Sequence, residues 1–145
     1  MTNNTICAAH CRPAIWEQDE AVLRGIRAEV FIRGQNVPEA LEWEGDDHLH
    51  QHIIAEIDGQ AVGTGRISSV GKIGRMAVLS EYRGQHIGAA ILQALVQIGS
   101  DAGLDRVYLY AQCHAQSFYS RQGFQPFGEV FDEAGIAHIA MQRDL

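Results

Sequence analysis

Apolar residues recur at helical spacing in the first quarter of the chain, from Glu17 to Arg33. A repeat of this period places the side chains on one face of a helix. The segment QNVPEA ends the pattern, because the residue before Pro38 is pushed out of the helical region of backbone conformation. A first strand is expected before this helix, over residues 4–11. The apolar positions of the helical repeat are Val22, Leu23, Ile26, Val30 and Phe31.

Two strand-like runs follow, HQHIIAEID and QAVGTGRIS, and Asp58 and Gly59 separate them. An Asp-Gly pair between alternating apolar runs is the strongest short-range signal for a β-hairpin. The residues from Gly71 to Leu79 form a third strand-like run. We therefore expect three consecutive strands in the middle of the chain.

A second helix is predicted from His86 to Ala102, and Gly103 ends it. RVYLYA then alternates as a buried strand, AQSFYSR forms a short helix and GIAHIAMQ a last strand. The order of elements is one strand, helix, three strands, helix, strand, helix and two strands. This order predicts a mixed α/β sandwich with helices on a central sheet, in one domain over residues 1–145. The apolar positions of the second helix are Ile87, Ile91, Ala94, Leu95 and Ile98.

Composition narrows the class of function. The chain has 145 residues, of which 46% are hydrophobic, so it can bury a core. Its net charge of −7 argues against a nucleic-acid or membrane-surface binder, which would carry a basic face. We expect no signal peptide and no membrane span. Three cysteines without a CxxC pair, namely Cys7, Cys11 and Cys113, predict reduced thiols in a cytoplasmic protein.

The stretch RGQHIG, from Arg83 to Gly88, opens the second long helix. A helix N-terminus offers backbone N–H groups and the positive end of the helix dipole, so it attracts phosphate. Arg83 can add charge-assisted hydrogen bonds. The same pattern also occurs as a plain tight connection, and its local signal favours neither reading.

The wider sequence is similar to the GNAT superfamily of N-acetyltransferases. The run RMAVLSEYRGQHIGAAILQAL resembles the family's motif A, R/Q-x-x-G-x-G/A, with His86 in the first glycine position. LYAQCHAQSFYSRQGF and the strand after it resemble the second cofactor segment. EVFIRGQNVPEAL and the run from His52 to Arg66 resemble those of one subgroup of small bacterial enzymes. The resemblance extends from about Ile15 to the end.

This resemblance implies that acetyl-CoA, the acetyl donor, lies in a V-shaped gap between strands 73–78 and 107–111. Its pantetheine arm pairs with the backbone of Met76 and Val78, and its pyrophosphate lies on the N–H groups of Gln85 through Ala89. His86 keeps its N–H there but adds a Cβ where the family has none. No metal is expected. The positions so assigned are Met76, Ala77, Val78, Arg83, Gly84, Gln85, His86, Ile87, Gly88, Ala89, Gln112, Phe118 and Tyr119.

Catalysis, by the same resemblance, involves two residues. The Val78 N–H polarises the thioester carbonyl, and Tyr119 protonates the departing thiolate. A phenol with a pKa of about 10 is protonated at neutral pH, which suits this role. The alternative from the residues alone is that Phe118 and Tyr119 are only a packed aromatic pair.

The acceptor is expected to be a primary amine of a small molecule or peptide, which attacks directly in a ternary complex. Glu29 and His138 are candidate bases by position. Gly34 stands where the subgroup commonly has an acidic residue, which removes one substrate contact. The resemblance leaves the oligomeric state open between monomer and homodimer, and a CoA-binding sensor without turnover is the alternative function.

Three further signals have competing interpretations. His48, His50 and His52 would share one face of a strand and could bind zinc or nickel, or could form a partly exposed strand face. Cys113 beside His114 could carry an acyl group, or could simply be buried. The acidic run EALEWEGDD is either a solvated loop or a lip that steers a cationic amine, with Trp43 offering a cation–π contact or anchoring the loop.

Overall fold

The computed structural model describes residues 9–145. A seven-stranded mixed sheet runs in the order β1-β2-β3-β4-β5-β7-β6, which confirms the predicted mixed α/β fold with helices on a central sheet. The strands are β1 His10–Ala14, β2 Gln51–Ile57, β3 Gln60–Ile67, β4 Lys72–Val78, β5 Arg106–Gln112, β6 Gln125–Glu133 and β7 Ile136–Asp144. The helices are α1 Trp16–Arg27, α2 Glu39–Glu42, α3 Ile87–Asp101 and α4 Gln116–Arg121.

The hairpin between β2 and β3 turns at Asp58 and Gly59, as predicted. Their φ angles are +51° and +79°. Two left-handed residues in a row are what a tight type I′ hairpin turn requires. This turn sets the pairing of Ile57 with Gln60 and of the residues beyond them.

Helix α3 covers one face of the sheet and builds the main core with Ile87, Ile91 and Leu95, all of which are buried. It lies very close to β3, because glycines stand beneath it. A Cβ on Gly65 would come within 2.8 Å of Leu95 Cδ1, and one on Gly63 within 2.9 Å of Ile91 Cδ1. The two glycines therefore set how closely the helix packs on the sheet.

Helix α1 covers the opposite face and continues as a π-helical turn over Ala28–Arg33. Ile26 and Val30 pack against Ala77 of β4. Val22, which we placed on the same apolar face, is instead 41% exposed. A helical repeat wider than the strip in contact with the sheet leaves its outermost member in solvent.

Strand β1 occupies His10–Ala14, so the prediction that the first strand ends at residue 11 is wrong. Among residues 9–145, this strand is the outermost one on its side of the sheet, next to β2. Proline occurs in sheets mainly in edge strands, at strand starts and at bulges, and Pro13 lies in this outermost described strand. Residues 4–8 of the predicted strand, including Cys7, lie outside the described residues.

Candidate active site

A gap opens between β4 and β5. The two strands pair in parallel only at Lys72 with Tyr108 and at Ile73 with Leu109, and then separate. The separation begins where β4 loses its regular register with β3, between Thr64 and Arg66. Arg75 in this irregular stretch has a φ of +50°. A bulge of this kind bends a strand away from its neighbour, so β4 leaves β5 and exposes its backbone.

The backbone of Val78 faces this gap. The N–H of Leu79 donates to the carbonyl oxygen of Val62 on β3 at 2.9 Å. Because successive backbone groups of a strand point to alternate sides, those of Val78 and Met76 point away from β3, toward β5. The carbonyl oxygen of Val78 accepts a hydrogen bond from Arg83 Nε at 3.1 Å. Arg83 thus lies at the open end of the gap.

The turn before α3 has an unusual backbone with two residues at positive φ. Gly84 has a φ of +81° and His86, the N-cap residue, a φ of +66°. The His86 carbonyl accepts from the N–H of Ala90 at 3.1 Å, so α3 begins directly after it. Within the described part of the chain, residues 9–145, no side chain caps this helix. The N–H groups at its start are therefore available to an anion.

Other positions that the sequence assigned to the donor site lie around this turn. Gln85, like His86, is exposed, and the side chains of Ile87 and Ala77 are buried in the cores on the two faces of the sheet. Gly88 and Ala89 form the first turn of α3. A Cβ on Gly88 would lie 3.6 Å from the ring of Phe118. The start of α3 and the short helix α4 are thus neighbours across the fold.

Tyr119 of α4 reaches across the gap to β4. Its hydroxyl lies 4.0 Å from Met76 Sδ, and its ring packs edge-on against Phe118 and Phe124. Burial raises the pKa of Tyr119 to about 12. The hydroxyl therefore keeps its proton throughout the neutral range. The packed aromatic pair exists, but Tyr119 also directs its polar end to the gap.

The open end of the gap is bordered by Gln112, the last residue of β5. Gln112 Nε2 donates to Oε1 of Gln35 at 2.9 Å, which links β5 to the loop after the π-helical turn. Gly34 precedes Gln35 in this loop and is exposed. His114 Nε2 lies 2.6 Å from the Gln112 side-chain oxygen. The loop that holds Gly34 thus lies beside the end of the gap.

His138 of β7 is the register partner of Gln112. It is buried, its Nδ1 lies 2.7 Å from the Ile136 carbonyl oxygen and its ring stacks on Phe131. Glu133 lies 3.6 Å from its Nε2. The structure therefore brings this candidate base next to the open end of the gap.

Glu29 lies in a different place from His138. Its carboxylate is largely exposed and pairs with Arg33 at 3.1 Å. It lines a groove of about 440 Å³ between α1 and the segment that holds Leu79 and Glu81. The structure therefore does not bring the two candidate bases together.

The acidic run around Trp43 folds inward. Glu42 and Asp47 are only 1% and 3% exposed, so both the solvated-loop and the steering-lip interpretations are wrong for them. The buried guanidinium of Arg27 binds Glu42 at 2.7 Å and Asp47 at 2.6 Å. Arg24 and Arg27 lie over the Trp43 ring, at 4.7 and 5.1 Å. The tryptophan anchors this segment to α1.

Two arginines of the sheet join the same cluster. Arg66 of β3 donates to Asp47 and to Glu44, both at 2.6 Å. Arg75, from the bulge of β4, lies 2.9 Å from Glu44. The cluster therefore ties the loop after α2 to β3 and to β4, the second of which borders the gap. Sequence reasoning missed these arginines, because their partners are distant along the chain.

Burial acts on the two carboxylates with different results. It opposes the charge of Asp47, but hydrogen bonds from Arg27 and Arg66 outweigh it and lower the pKa of Asp47. Burial raises the pKa of Glu42 in spite of Arg75 and Arg27. Asp47 is therefore the more firmly charged member of the cluster.

The three nearby histidines do not share a strand face, because β2 begins only at Gln51. His48 and His50 precede the strand. His52 is buried, stacks on Trp16 and has its Nε2 2.8 Å from the Asp47 carbonyl oxygen. Burial lowers the pKa of His52. The metal interpretation is thus wrong in its geometric premise, and in residues 9–145 no group of three or more His, Cys, Asp or Glu side chains is arranged to hold a metal.

Cys113 lies in the turn Cys113–Ala115, directly after Gln112, and is partly buried. It is thus close to the end of the gap along the chain. The helices within residues 9–145 include none long and apolar enough to span a bilayer.

Comparison with known proteins supplies an independent view. The sequence model of a family described as an acetyltransferase (GNAT) domain matches residues 14–145. An uncharacterized N-acetyltransferase of Bacillus subtilis, YjcF, is 34% identical over 123 residues, or 82% of this chain and 88% of YjcF. Protein ElaA of Escherichia coli is 33% identical over 129 residues, covering 83% and 84% of the two chains. The crystal structure of an acyl-CoA N-acyltransferase from Pseudomonas aeruginosa, 32% identical, aligns with a TM-score of 0.80 over 93% of this chain and 98% of that one.

Proposed function

The chain belongs to the GNAT acetyltransferase family, and from this premise we propose that it transfers acetyl from acetyl-CoA to a primary amine in a ternary complex. The seven-stranded fold matches that of the solved acyl-CoA N-acyltransferase. The donor, the acceptor class and the roles of individual residues are our proposal. So are a single domain over residues 1–145 and a cytoplasmic location.

One observation carries the proposal: the Tyr119 hydroxyl lies 4.0 Å from Met76 Sδ, at the gap between β4 and β5. Tyr119 and Met76 are 43 residues apart, so only the fold brings them together. The hydroxyl thus lies beside a side chain of β4, the strand whose backbone faces the gap. Thioester cleavage needs both groups, since a backbone N–H can polarise the carbonyl and a protonated hydroxyl can stabilise the leaving sulfur.

The donor site fits the residues present. The exposed backbone of Met76 and Val78 can pair with the amides of an extended pantetheine arm, as a sheet edge pairs with an added strand. The uncapped start of α3 offers N–H groups for the pyrophosphate, from Gln85 through Ala89. Arg83, beside the same turn, adds a positive charge.

In the reaction, acetyl-CoA supplies the acetyl thioester. The N–H of Val78 donates to the thioester carbonyl oxygen and stabilises its growing negative charge. The amine nitrogen forms a bond to the carbonyl carbon as the C–S bond breaks. Tyr119 donates its hydrogen bond to the leaving sulfur. Because its pKa is about 12, Tyr119 passes this proton to the sulfur only as it regains one from the nitrogen of the new amide, so the excess proton on that nitrogen ends on the released thiol.

The acceptor enters at the open end of the gap, where Gln35 and Gln112 meet. Its ammonium must lose a proton before attack, since such groups have a pKa near 10. His138 lies beside Gln112 and is the base we favour, through water. Glu29 pairs with Arg33 in another groove, and the glycine at position 34 leaves the adjoining loop without a carboxylate.

Two measurements test the function. Calorimetry with acetyl-CoA is expected to show 1:1 binding, and thiol release across a panel of primary amines is expected to depend on one amine class. Binding without release in any amine would favour the alternative, a sensor that has kept the fold and lost turnover. Absence of binding would contradict both.

A further inference from the structure

A groove of about 650 Å³ lies on the sheet face opposite α3, across β5, β7 and β6. Its floor is made of four aromatic rings, which we call the aromatic shelf. Tyr110 and Phe127 keep 40% and 42% of their surface exposed. The members of the shelf are Tyr108, Tyr110, Phe127 and Phe131.

The shelf leads directly to the open end of the gap. Tyr110 and Gln112 are two residues apart in β5 and share one face of the strand, so they are about 7 Å apart. Tyr110 meets Phe131 edge-on, at a centroid distance of 5.3 Å, and Phe131 stacks on His138 at 5.8 Å. A continuous row of rings therefore runs from the groove to the residues that border the proposed acceptor entrance.

Charges around the shelf give it a direction. Lys72 Nζ lies 4.2 Å over the Tyr110 ring, and Arg106 lines the far end of the groove, where it pairs with Asp144 at 3.2 Å. A ligand ammonium placed on the shelf would be repelled by Lys72, which already occupies the cation site on Tyr110. Glu129, an exposed carboxylate, also lines the groove, so the repulsion is strongest at the Tyr110 ring beneath Lys72. That ring therefore suits an uncharged apolar body, and an ammonium lies away from it, toward Gln112.

We propose that the acceptor is a primary amine joined by a short linker to an uncharged aromatic body, which packs on the aromatic shelf while the amine reaches the open end of the gap. The proposal rests on the proposed function. Aromatic rings gain from edge-on and offset contacts beyond the area they bury, so a flat aromatic body is favoured over an aliphatic one of equal size.

The test is calorimetric binding of 2-phenylethylamine and propylamine to the wild-type chain and to variants. We expect phenylethylamine to bind at least tenfold more tightly than propylamine. Phe127→Ser and Tyr110→Ser are each expected to lower the ratio of the two affinities at least fivefold. Val70→Ser is the matched control, because Val70 is 67% exposed and lies outside the groove, and it is expected to leave both affinities unchanged.

The outcomes separate this proposal from the proposed function. Equal binding of the two amines, or a preference that survives both shelf variants, overturns the shelf. A wild-type dimer that Phe127→Ser converts to a monomer in sedimentation also overturns it, since the shelf would then be an interface between copies. Preferential binding without thiol release keeps the shelf and contradicts the transferase. Thiol release at equal rates with aromatic and aliphatic amines supports the transferase function and contradicts the proposed role of the shelf.

Discussion

Replacing His86 by glycine should make the protein more stable. His86 is held at φ +66° and ψ +16°. This left-handed conformation costs an L-residue about 1–2 kcal/mol. For histidine the cost is nearer the lower figure, because histidine tolerates the conformation better than most residues. Glycine removes this strain, but its greater chain entropy stabilises the unfolded state by about 0.4–1 kcal/mol. The balance is a gain of about 0.5 kcal/mol, measured as a higher midpoint in urea unfolding at constant slope.

The matched control is His48→Gly. His48 is also an exposed histidine in a turn, but it is not among the residues with positive φ. Glycine there adds entropy without removing strain, so a loss of about 0.5–1 kcal/mol is expected. If His86→Gly loses as much stability as His48→Gly, the turn stores no strain and the reasoning fails.

The same variant reports on the donor site. His86→Gly is expected to bind acetyl-CoA as tightly as the wild type or more tightly, because a Cβ is removed beside the proposed pyrophosphate position. Clearly weaker binding in calorimetry would contradict this and would identify the imidazole as a phosphate contact.

Three other perturbations have defined outcomes. Asp47→Asn should lose about 1–3 kcal/mol in urea unfolding, because Arg27 and Arg66 each lose one of their charged partners. Asp132→Asn, at an exposed site, should change stability by under about 0.5 kcal/mol. Equal effects of the two changes would refute the buried cluster. Between pH 10 and 12 the unfolded chain loses the Tyr119 proton while the folded chain keeps it, so the free energy of unfolding should fall by about 2–3 kcal/mol. Tyr119→Phe has no such proton and should lack this contribution to the fall. An identical decline in the variant would contradict the raised pKa. Gly65→Ala should lower the free energy of unfolding by about 1–3 kcal/mol, because its Cβ would meet α3 at 2.8 Å. Gly25→Ala, with open space around it, should raise the free energy of unfolding by up to about 1 kcal/mol. A tolerated Gly65→Ala would mean that α3 can shift.

Local patterns were enough to predict the order of strands and helices. The hairpin at Asp58 and Gly59 and the helix from Ile87 depend on neighbours within a few residues, so the sequence alone contains their signal. Resemblance to a family directed attention to the gap and to Tyr119. The contact of Tyr119 with Met76 follows from topology and is not visible in any single window of sequence.

The buried charge cluster could not be predicted in this way. Arg27 meets Glu42 and Asp47 from 15 and 20 residues away, and the general expectation for an acidic run is solvent exposure. The histidine pattern near His52 was ambiguous for a related reason. The predicted strand run began at His50, one residue before β2, and the sequence left open whether the three histidines share a face. In both cases long-range packing decided what local composition left open.

Amine-dependent thiol release by Tyr119→Phe, compared with Tyr82→Phe, tests the central claim most directly. Tyr82 is the matched control because its hydroxyl contacts Gln60 rather than Met76. At saturating acetyl-CoA we expect Tyr119→Phe to lower kcat by about 10²-fold with its Kd for acetyl-CoA unchanged, and Tyr82→Phe to keep the wild-type rate. Equal rates for the two variants would mean that Tyr119 only packs the core, and that the proton for the leaving sulfur comes from elsewhere.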